Sequence, residues 1–282
     1  MKIPYAHDIC SNDSDKTMKK SEPEGNFFSD SLFKGLNVVV TGAGRGIGAA
    51  IAYQFLENGA NLFAHMGISS TNANAHTFDH NPGPGNCHLA YADLALEPAI
   101  RDISKQIASK FSHVDVLVNN AGTMFGRVLT ENMSLEHYHK VSDLNARSVV
   151  LLTTNLLPLL KAANGASIIN VTSISATTGG SAGSSIYSAS KAFVSTYTRS
   201  LARELAPDNI RVNAISPGTI DTDFHERYSS KEKLAATAKA IPLQRLGTPD
   251  DCAPACLFLA SNALSGYITG QILEINGGQL MG

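Results

Sequence analysis

The sequence predicts an α/β protein with a single doubly wound domain, in which a parallel seven-stranded sheet is flanked by helices. From about residue 31 onward, short β-branched runs alternate strictly with amphipathic stretches of helical length. This alternation is typical of parallel βαβ units that are covered on both faces. The 282 residues, of which 43% are hydrophobic and 16% charged, suffice for one large core.

Seven short, mostly apolar stretches are expected to form the strands, the first of them a β-branched run that ends at a glycine. In chain order they are LNVVVT (36–41), NLFAH (61–65), CHLAYADL (87–94), VDVLVNNAG (114–122), ASIINVTS (166–173), IRVNAISPG (210–218) and GQILEINGG (270–278).

Helices are expected between these strands. They are GIGAAIAYQFLENGA (46–60), EPAIRDISKQIASKF (97–111), LNARSVVLLTTNLLPLLKAA (144–163), IYSASKAFVSTYTRSLARELA (186–206) and TPDDCAPACLFLAS (248–261). In the last of these, Thr248 suits the N-cap and Pro249 the first helical position. The polar stretch 67–86 is expected to hold one weak helix before its Pro-Gly turns.

Residues 1–30 are polar, and we expect them to form a flexible extension before a catalytic domain over 31–282. The extension has no apolar segment of the kind found in signal peptides, so a cytoplasmic protein is expected. The net charge of -2 gives no reason to expect nucleic acid or a membrane surface as a partner. No apolar run has the length needed to cross a bilayer.

The cysteines and histidines do not predict a metal site. Cys252 and Cys256 lie one helical turn apart and are interpreted as small buried hydrophobes. The histidine pairs in HTFDH (76–80) and HYH (137–139) lack the further ligands that a metal centre needs. No Cys-x-x-Cys is present, and a reducing compartment is the default.

The turn after the first strand, TGAGRGIG (41–48), predicts a dinucleotide site. In a doubly wound fold this turn places a pyrophosphate at a helix N-terminus. Its glycines are Gly42, Gly44, Gly46 and Gly48, with Arg45 and Ile47 between them. The Gly-x-Gly-x-x-Gly pattern does not fit, because Ile47 stands where its third glycine belongs, and a structural tight turn is the alternative.

From about Leu32 to the C-terminus, the sequence resembles the short-chain dehydrogenase/reductase family, whose members have a Rossmann-type fold. The family's motifs occur in order: TGAGRGIG (41–48), AD ending at Asp93, NNAG (119–122), LN ending at Asn145, NVTS ending at Ser173, YSASK (187–191) and VNAISPG (212–218). The C-terminal region, from residue 241 onward, is similar to the 3-oxoacyl-carrier-protein reductase branch.

The resemblance implies a catalytic set of Asn145, Ser173, Tyr187 and Lys191. Tyr187 would exchange the proton, and Lys191, one helical turn away, would lower the pKa of its phenol. Ser173 would polarise the substrate oxygen, with Ser175 as the alternative because the Ser-to-Tyr gap is one residue longer than usual. Asn145, in the long fourth helix, would hold a water on a proton relay.

The resemblance also implies the residues that contact a nicotinamide cofactor. Asp93 and Leu94 would end the third strand at the adenine, and Asn119 would lie beside its ribose. Tyr187 and Lys191 belong to this set as well. Its other members are Gly42, Gly44, Arg45, Gly46, Ile47, Gly48, Met66, Ala121, Gly122, Pro217, Gly218, Ile220 and Thr222.

The segment after the second strand favours NADP(H), with NAD(H) possible. NAD enzymes of this kind usually place an acid there to bind the ribose hydroxyls, whereas this chain has Met66 and Gly67. Arg45 resembles the basic residue that NADP-preferring members use against the 2′-phosphate. His65 or one of the serines at 69 and 70 would complete that site.

The substrate stays open between a ketone, a sugar-derived ketone and a 3-oxoacyl thioester. Carrier-protein reductases tend to have basic residues where this chain has 162–164 and 207–208, which weakens carrier docking. Residues 221–247 occupy the place of the family's mobile lid, in which Phe224, Tyr228 and Leu234 would give apolar contacts.

Three other interpretations remain. A nicotinamide-binding regulator would have lost the Tyr or the Lys. An enoyl reductase would need a wider Tyr-to-Lys spacing, and an NAD-preferring alcohol or polyol dehydrogenase would differ in cofactor.

The family is mostly tetrameric or dimeric through the helices after strands four and five. A homotetramer or homodimer is therefore expected here.

Overall fold

The computed structural model describes residues 32–68 and 83–281. Seven parallel strands form one sheet in the order β3-β2-β1-β4-β5-β6-β7, which confirms the predicted fold class. The strands are β1 Asn37–Thr41, β2 Asn61–His65, β3 Cys87–Ala90, β4 Val116–Asn119, β5 Ser167–Val171, β6 Arg211–Pro217 and β7 Ile272–Ile275. The winding direction reverses between β1 and β4, where a crevice opens at the carboxyl ends of the strands.

The helices lie on both faces of this sheet. They are α1 Gly46–Glu57, α2 Glu97–Lys110, α3 Leu135–Ser142, α4 Ser148–Ala162, α5 Ser175–Thr178, α6 Ser185–Leu205, α7 Asp223–Tyr228, α8 Lys231–Ala240, α9 Pro249–Ala260 and α10 Asn262–Ser265. The start of α9 is as predicted, with Thr248 at the N-cap and Pro249 after it. The Thr248 backbone N–H donates to the Asp251 carboxylate at 2.7 Å.

Two buried clusters fix the layers. Successive side chains of β1 point to opposite faces, so each face of the sheet receives part of that strand. The face covered by α1 and α9 contains Val38, Val40, Phe55 and Cys256. The face covered by α2, α4 and α6 contains Val39, Ile103, Leu156 and Leu201. The strands are thereby held with their carboxyl ends side by side at the crevice.

All observed strands except β2 are shorter than the predicted stretches, and two differences affect the site. The third strand ends at Ala90, because its partner β2 ends at the paired His65, and Asp93 and Leu94 therefore follow the strand instead of ending it. The predicted helix 144–163 begins inside a π-helical turn, Asp143–Arg147, that joins α3 to α4, and the regular α-helix starts only at Ser148.

The predicted extension over 1–30 lies outside the described residues, as does most of the polar stretch 67–86 with its predicted weak helix. Within the described ranges, no helix is long and apolar enough to cross a membrane.

Candidate active site

A cavity of about 890 Å³ lies at the carboxyl ends of the central strands. Its volume is within the range of ligand pockets, roughly 300–1,000 Å³. Of the predicted catalytic and cofactor-binding residues, only Asn119 and Asn145 do not line it. Those that do are Gly42, Gly44, Arg45, Gly46, Ile47, Gly48, Met66, Asp93, Leu94, Ala121, Gly122, Ser173, Tyr187, Lys191, Pro217, Gly218, Ile220 and Thr222.

The glycine turn, residues 42–48, is shaped by close backbone approach. Gly42 has a φ of +67°, in the left-handed region that favours glycine. A Cβ on Gly48 would lie 2.2 Å from the carbonyl oxygen of Gly42, so a larger residue does not fit there. Because α1 starts at Gly46, its first N–H groups and the positive end of its dipole are available to an anion.

Asn120, and not Asn119, secures this turn. Asn120 Nδ2 donates to the carbonyl oxygens of residues 41 and 42, at 2.9 and 3.2 Å. Asn119 Nδ2 donates instead to Thr153 Oγ1 at 3.2 Å and to Asn170 Oδ1 at 2.9 Å, in the buried interior. The prediction that Asn119 lies beside the ribose is therefore wrong for its side chain, which joins β4 to β5 and α4.

The described residues directly after β2, residues 66–68, include no acidic side chain. Met66 stands at the first position after the strand, is buried and lines the cavity. His65, the last residue of β2, accepts from the Gly42 N–H through Nδ1 at 3.2 Å and donates from Nε2 to the Ala92 carbonyl at 2.9 Å.

Both ring nitrogens of His65 are thus used by the backbone, and burial lowers the pKa of the imidazole. His65 therefore supports the glycine turn, and the expectation that it binds a 2′-phosphate is wrong. The serines at 69 and 70, named as alternatives, lie outside the described residues.

Arg45 makes an ion pair with the lid. Its Nη1 lies 2.9 Å from Oδ2 of Asp223, the first residue of α7, and the two side chains are 44% and 38% exposed. An exposed pair of this kind contributes about 0–1 kcal/mol. A phosphate, which can offer a guanidinium two oxygens, is therefore able to compete with Asp223 for Arg45.

The loop after β3 contributes Asp93 and Leu94 to the cavity. Asp93 Oδ1 accepts a hydrogen bond from the Ala95 N–H at 2.9 Å, which orders the turn that leads to α2. Leu94 is buried among the side chains of α2 and α4. Contact of these two residues with an adenine stays a prediction.

The Tyr187 side chain, on the first turn of α6, lies beside Ser173, whose hydroxyl acts to lower the pKa of the phenol. Ser173 Oγ also accepts from the Ser175 N–H at 3.2 Å and from Ser175 Oγ at 3.0 Å. Of the two serines considered from the sequence, Ser173 is therefore the partner of the tyrosine. Ser175 orients it.

Lys191 lies one turn further along α6, and its side chain is buried. Lys191 Nζ donates to the Val171 carbonyl at 2.8 Å and lies 5.8 Å from the ring centroid of Tyr187. Burial lowers the pKa of the ammonium group to about 8, because the charged form loses hydration.

The expectation that Lys191 lowers the pKa of Tyr187 is not met in this structure. Although Tyr187 keeps part of its surface accessible, its surroundings raise the pKa of the phenol to about 12 by desolvation. The Ser173 hydroxyl acts in the opposite direction and is the smaller effect. The tyrosine is accordingly held in its protonated form at neutral pH.

Asn145 lies in the π-helical turn, and not in a regular α-helix as expected. Its Nδ2 donates to the Val141 and Thr123 carbonyls, each at 2.8 Å, while its Oδ1 is buried and has no partner among the residues that the structure describes. A Cβ built at Gly122 would lie 2.6 Å from this Oδ1 and 3.2 Å from Lys191 Nζ. The unpaired oxygen and the ammonium group therefore converge at Gly122.

Pro217, Gly218, Ile220 and Thr222 follow one another along the cavity wall at the end of β6. The Thr222 hydroxyl donates to the Ile220 carbonyl at 3.3 Å, and its methyl group faces Gly46 of the glycine turn. This segment therefore closes the crevice opposite α1.

The predicted lid segment forms α7 and α8. Phe224 lies against Tyr187, with 5.7 Å between ring centroids, and Tyr228 against Phe224 at 4.9 Å. The Tyr228 hydroxyl is 3.0 Å from Thr123 Oγ1, which ties the lid to the loop after β4. Leu234, the third predicted apolar contact, does not line the cavity.

Several residues that build the site were missed from the sequence. Thr41 Oγ1 accepts from the N–H groups of Asn120 and Ala121, at 2.9 and 3.0 Å, and so joins the ends of β1 and β4. Arg127 lines the cavity on the loop after β4. For the misplaced Asn119, the sequence did contain one signal. Side chains alternate along β4, so Asn119 points to the same interior face as Leu117.

No group of three or more His, Cys, Asp or Glu side chains suited to a metal ion occurs among the described residues. Cys252 and Cys256 are buried, and burial raises the pKa of both thiols.

Comparison with known proteins agrees with this geometry. A family model described as enoyl-(acyl carrier protein) reductase matches residues 42–279. The 3-oxoacyl-[acyl-carrier-protein] reductase FabG of Chlamydia pneumoniae is 38% identical over 249 residues, which cover 88% of this chain and 98% of that protein. The corresponding reductase of Synechocystis sp. is 37% identical, over 86% of this chain and 96% of its own length.

Solved structures show the same likeness. The NADH-dependent reductase A1-R′, responsible for alginate metabolism, has a TM-score of 0.80 at 34% identity, over 89% of this chain and 100% of that one. The Pseudomonas aeruginosa RhlG/NADP active-site complex has a TM-score of 0.80 at 32% identity, over 89% and 100%. A1-R′ has also been solved with NAD. The chain belongs to the short-chain dehydrogenase/reductase family and is a nicotinamide-dependent oxidoreductase similar to the 3-oxoacyl-carrier-protein reductases.

Proposed function

We propose that this protein is an NADP(H)-dependent carbonyl reductase that interconverts a ketone and a secondary alcohol, with Tyr187 as the acid/base. The observation that carries the proposal is the pairing of Tyr187 with Ser173 beside the buried Lys191, in the cavity that continues to the glycine turn. Relatives with names and titles of this reaction class support it.

The residues present fit a nicotinamide dinucleotide. The glycine turn leaves no room for a Cβ at Gly48 and presents the N-terminus of α1, which suits a pyrophosphate. The segment from Pro217 to Thr222 would flank the nicotinamide, and Lys191 would hold its ribose. When bound, the reduced cofactor supplies the hydride that reaches the carbonyl carbon.

Ser173 and Tyr187 would both donate to the substrate oxygen. As the carbon accepts hydride, negative charge develops on that oxygen, and Tyr187 gives it the phenolic proton. A phenol with a pKa of about 12 is protonated at neutral pH, so it is ready for the reductive direction.

Lys191 would place a positive charge one helical turn from the phenolate that this step leaves behind. In this structure, desolvation outweighs that charge in setting the pKa of Tyr187. The Oδ1 of Asn145, unpaired among the described residues, and the ammonium group of Lys191 both lie next to Gly122. Asn145 would thus help to return a proton to Tyr187 through solvent.

The preference for NADP(H) rests on two features of the adenosine side. Met66 places an apolar side chain where an acid would repel a 2′-phosphate, and Arg45 lies on the glycine turn next to it. The ion pair of Arg45 with Asp223 is exposed and weak enough to be exchanged.

The substrate is proposed to be a ketone, a sugar-derived ketone or a 3-oxoacyl thioester. Relatives named 3-oxoacyl-carrier-protein reductase support the thioester, and one structure titled as a putative gluconate 5-dehydrogenase supports a sugar-derived compound. Enoyl reduction, which the description of the family model names, is disfavoured because Tyr187 and Lys191 are only four positions apart.

The test is a panel of ketones and alcohols followed by nicotinamide absorbance, with NADPH and NADH side by side. We expect ketone reduction with a lower KM for NADPH. Consistent preference for NADH would refute the roles given to Arg45 and Met66, and an absence of turnover throughout would favour a cofactor-binding regulator.

We also propose a homotetramer or homodimer through α4 and α6. The rings of Phe193 and Tyr197 stack at 5.8 Å on α6, and Phe193 is 47% exposed. Such an aromatic surface suits a subunit interface. Light scattering on the purified chain would decide, and a monomer at micromolar concentration would contradict this assignment.

A further inference from the structure

Positive charge borders the part of the cavity that lies past the aromatic lid residues. Arg127, His225 and Arg227 line it, and we call these three residues the cationic corner. Its positive charge comes from the two arginines, because burial lowers the pKa of the His225 imidazole and favours its neutral form. Both arginines contact Tyr228: Arg127 Nε donates to its carbonyl at 3.0 Å, and the Arg227 guanidinium carbon lies 5.5 Å from its ring centroid. Phe224 separates Tyr228 from the catalytic tyrosine, so the corner is one aromatic pair away from the reacting oxygen.

Arg127 has unused hydrogen-bond donors. Its Nε donates to the Tyr228 carbonyl, and its Nη1 donates to the Ala182 carbonyl at 3.3 Å. A guanidinium has five N–H bonds, and those on Nη2 have no acceptor within the described chain. Two backbone contacts therefore hold the group in place while leaving one edge for a ligand.

His225 and Arg227 are also incompletely satisfied. The Nδ1 atom of His225 is buried without a hydrogen-bond partner in the part of the chain that the structure describes. Arg227 Nε donates to the Asp223 carbonyl of its own helix at 2.9 Å, and its two Nη groups have no acceptor there. Burying a polar group without a partner is unfavourable, so a ligand group that pairs with His225 Nδ1 would be stabilised. Arg227 is exposed, and a ligand would replace water at its Nη groups.

No carboxylate of the described residues makes an ion pair with the cationic corner. The acids that line the cavity are Asp93, after β3, and Asp223, which is paired with Arg45. Asp221 acts on His225 at longer range but is exposed and outside the cavity lining. The corner therefore has an excess of positive charge that no carboxylate of the described ranges neutralises.

We propose that the substrate is a ketone that also carries a carboxylate, with its carbonyl oxygen at Ser173 and Tyr187 and its carboxylate in the cationic corner. The inference rests on the proposed carbonyl reductase function and adds a substrate class to it. A guanidinium matches a carboxylate with parallel N–H bonds, and the apolar walls given by Phe224 and Tyr228 strengthen that attraction. A neutral ketone leaves the same donors unpaired.

The first experiment compares each acid with its own methyl ester. Acetoacetate, 4-oxopentanoate and 5-oxohexanoate, together with their esters, would be reduced with NADPH at several concentrations. We expect kcat/KM to be at least about tenfold higher for the acid at the best chain length, which corresponds to about 1.4 kcal/mol. Esters that equal or exceed the acids at all three lengths overturn the proposal while leaving carbonyl reduction intact.

A different failure points to the reaction class. If neither acids, esters nor neutral ketones are reduced, the carbonyl reductase function itself is refuted, and the substrate class falls with it. The two failures are therefore distinguishable in one set of assays.

Arg127→Gln tests the corner directly. We expect the acid-to-ester ratio of kcat/KM to fall to about one. Arg127 also braces the lid through the carbonyls of Tyr228 and Ala182, but a loosened lid would slow acid and ester alike and leave the ratio unchanged. An unchanged ratio would therefore overturn the role of Arg127.

Lys231→Gln is the matched control. It removes the same charge from the start of α8, where the side chain is exposed and outside the cavity lining. Its acid-to-ester ratio should equal that of the unaltered protein. An equal fall in both variants would mean that long-range electrostatics, and not a contact with Arg127, causes the effect.

A binding measurement tests the same proposal without turnover. 4-Oxopentanoate should raise the melting temperature of the NADP-saturated protein more than its methyl ester does.

Discussion

The cofactor half of the cavity is held by short backbone contacts, whereas the substrate half is held by long side chains that reach between loops. At the glycine turn, Asn120, Thr41 and His65 each bond directly to backbone groups at the ends of β1, β2 and β4. At the lid, Arg127 and Tyr228 connect two loops through single hydrogen bonds.

The difference matters because backbone contacts leave little room for substitution, while side-chain contacts can be exchanged one at a time. A cofactor shared by many enzymes can therefore be bound by a fixed turn. The substrate can change with a few lid residues on the same frame.

The largest effect is expected from Tyr187→Phe, at the junction of the two halves. Loss of the phenolic proton should lower kcat by about 10²–10⁴, while the affinity for NADP(H), measured by fluorescence, changes little. Ser175→Ala is the control, since it removes only the hydroxyl that orients Ser173 and should cost far less. Near-normal turnover of the phenylalanine variant would contradict the acid/base assignment.

Gly48→Ala tests the rigidity of the cofactor half. The added Cβ would meet the Gly42 carbonyl at 2.2 Å and Asn120 Nδ2 at 2.3 Å, so the turn must shift. We expect a loss of about 1–3 kcal/mol in the free energy of unfolding and a marked loss of cofactor affinity. Gly126→Ala is the control. A Cβ at Gly126 meets open space, but the φ of +119° is strained for alanine, so this variant measures backbone strain without a clash.

The pH profile tests the electrostatics of the junction. Reduction needs Lys191 charged, and its pKa is lowered to about 8, so kcat/KM should be constant below pH 8 and fall about tenfold per unit above it. Tyr187, with its pKa raised to about 12, stays protonated over this range. A profile that is flat to pH 10 would show that the charge of Lys191 does not limit the rate.

The smallest effect is expected from Asp223→Asn, where the two halves meet. Freeing Arg45 from its ion pair should lower the KM for NADPH a few-fold, about 0–1 kcal/mol, and leave the KM for NADH unchanged. Asp221→Asn is the control, because it removes a neighbouring negative charge that makes no ion pair with Arg45. An equal change for both cofactors would mean that Asp223 does not compete with the 2′-phosphate.

The predicted residues were placed unequally well. The glycine turn and the Tyr187–Lys191 pair depend on spacings within one turn or one helix, and the structure brings them to a common cavity. Asn119, His65 and Leu234 were misjudged because their surroundings come from distant segments. The direction of an asparagine at a strand end depends on which neighbours, such as Thr153 and Asn170, stand behind it.

The sequence by itself determined the alternation of strands and helices, the glycine turn and the four-residue step from Tyr187 to Lys191, because local periodicity and backbone sterics suffice for these. Only the tertiary structure decided that Asn145, in the π-helical turn, and Lys191 meet at Gly122, that burial raises the pKa of Tyr187, and that Arg127 contacts α7. These properties depend on desolvation and on contacts between residues far apart in the chain, which no local pattern records.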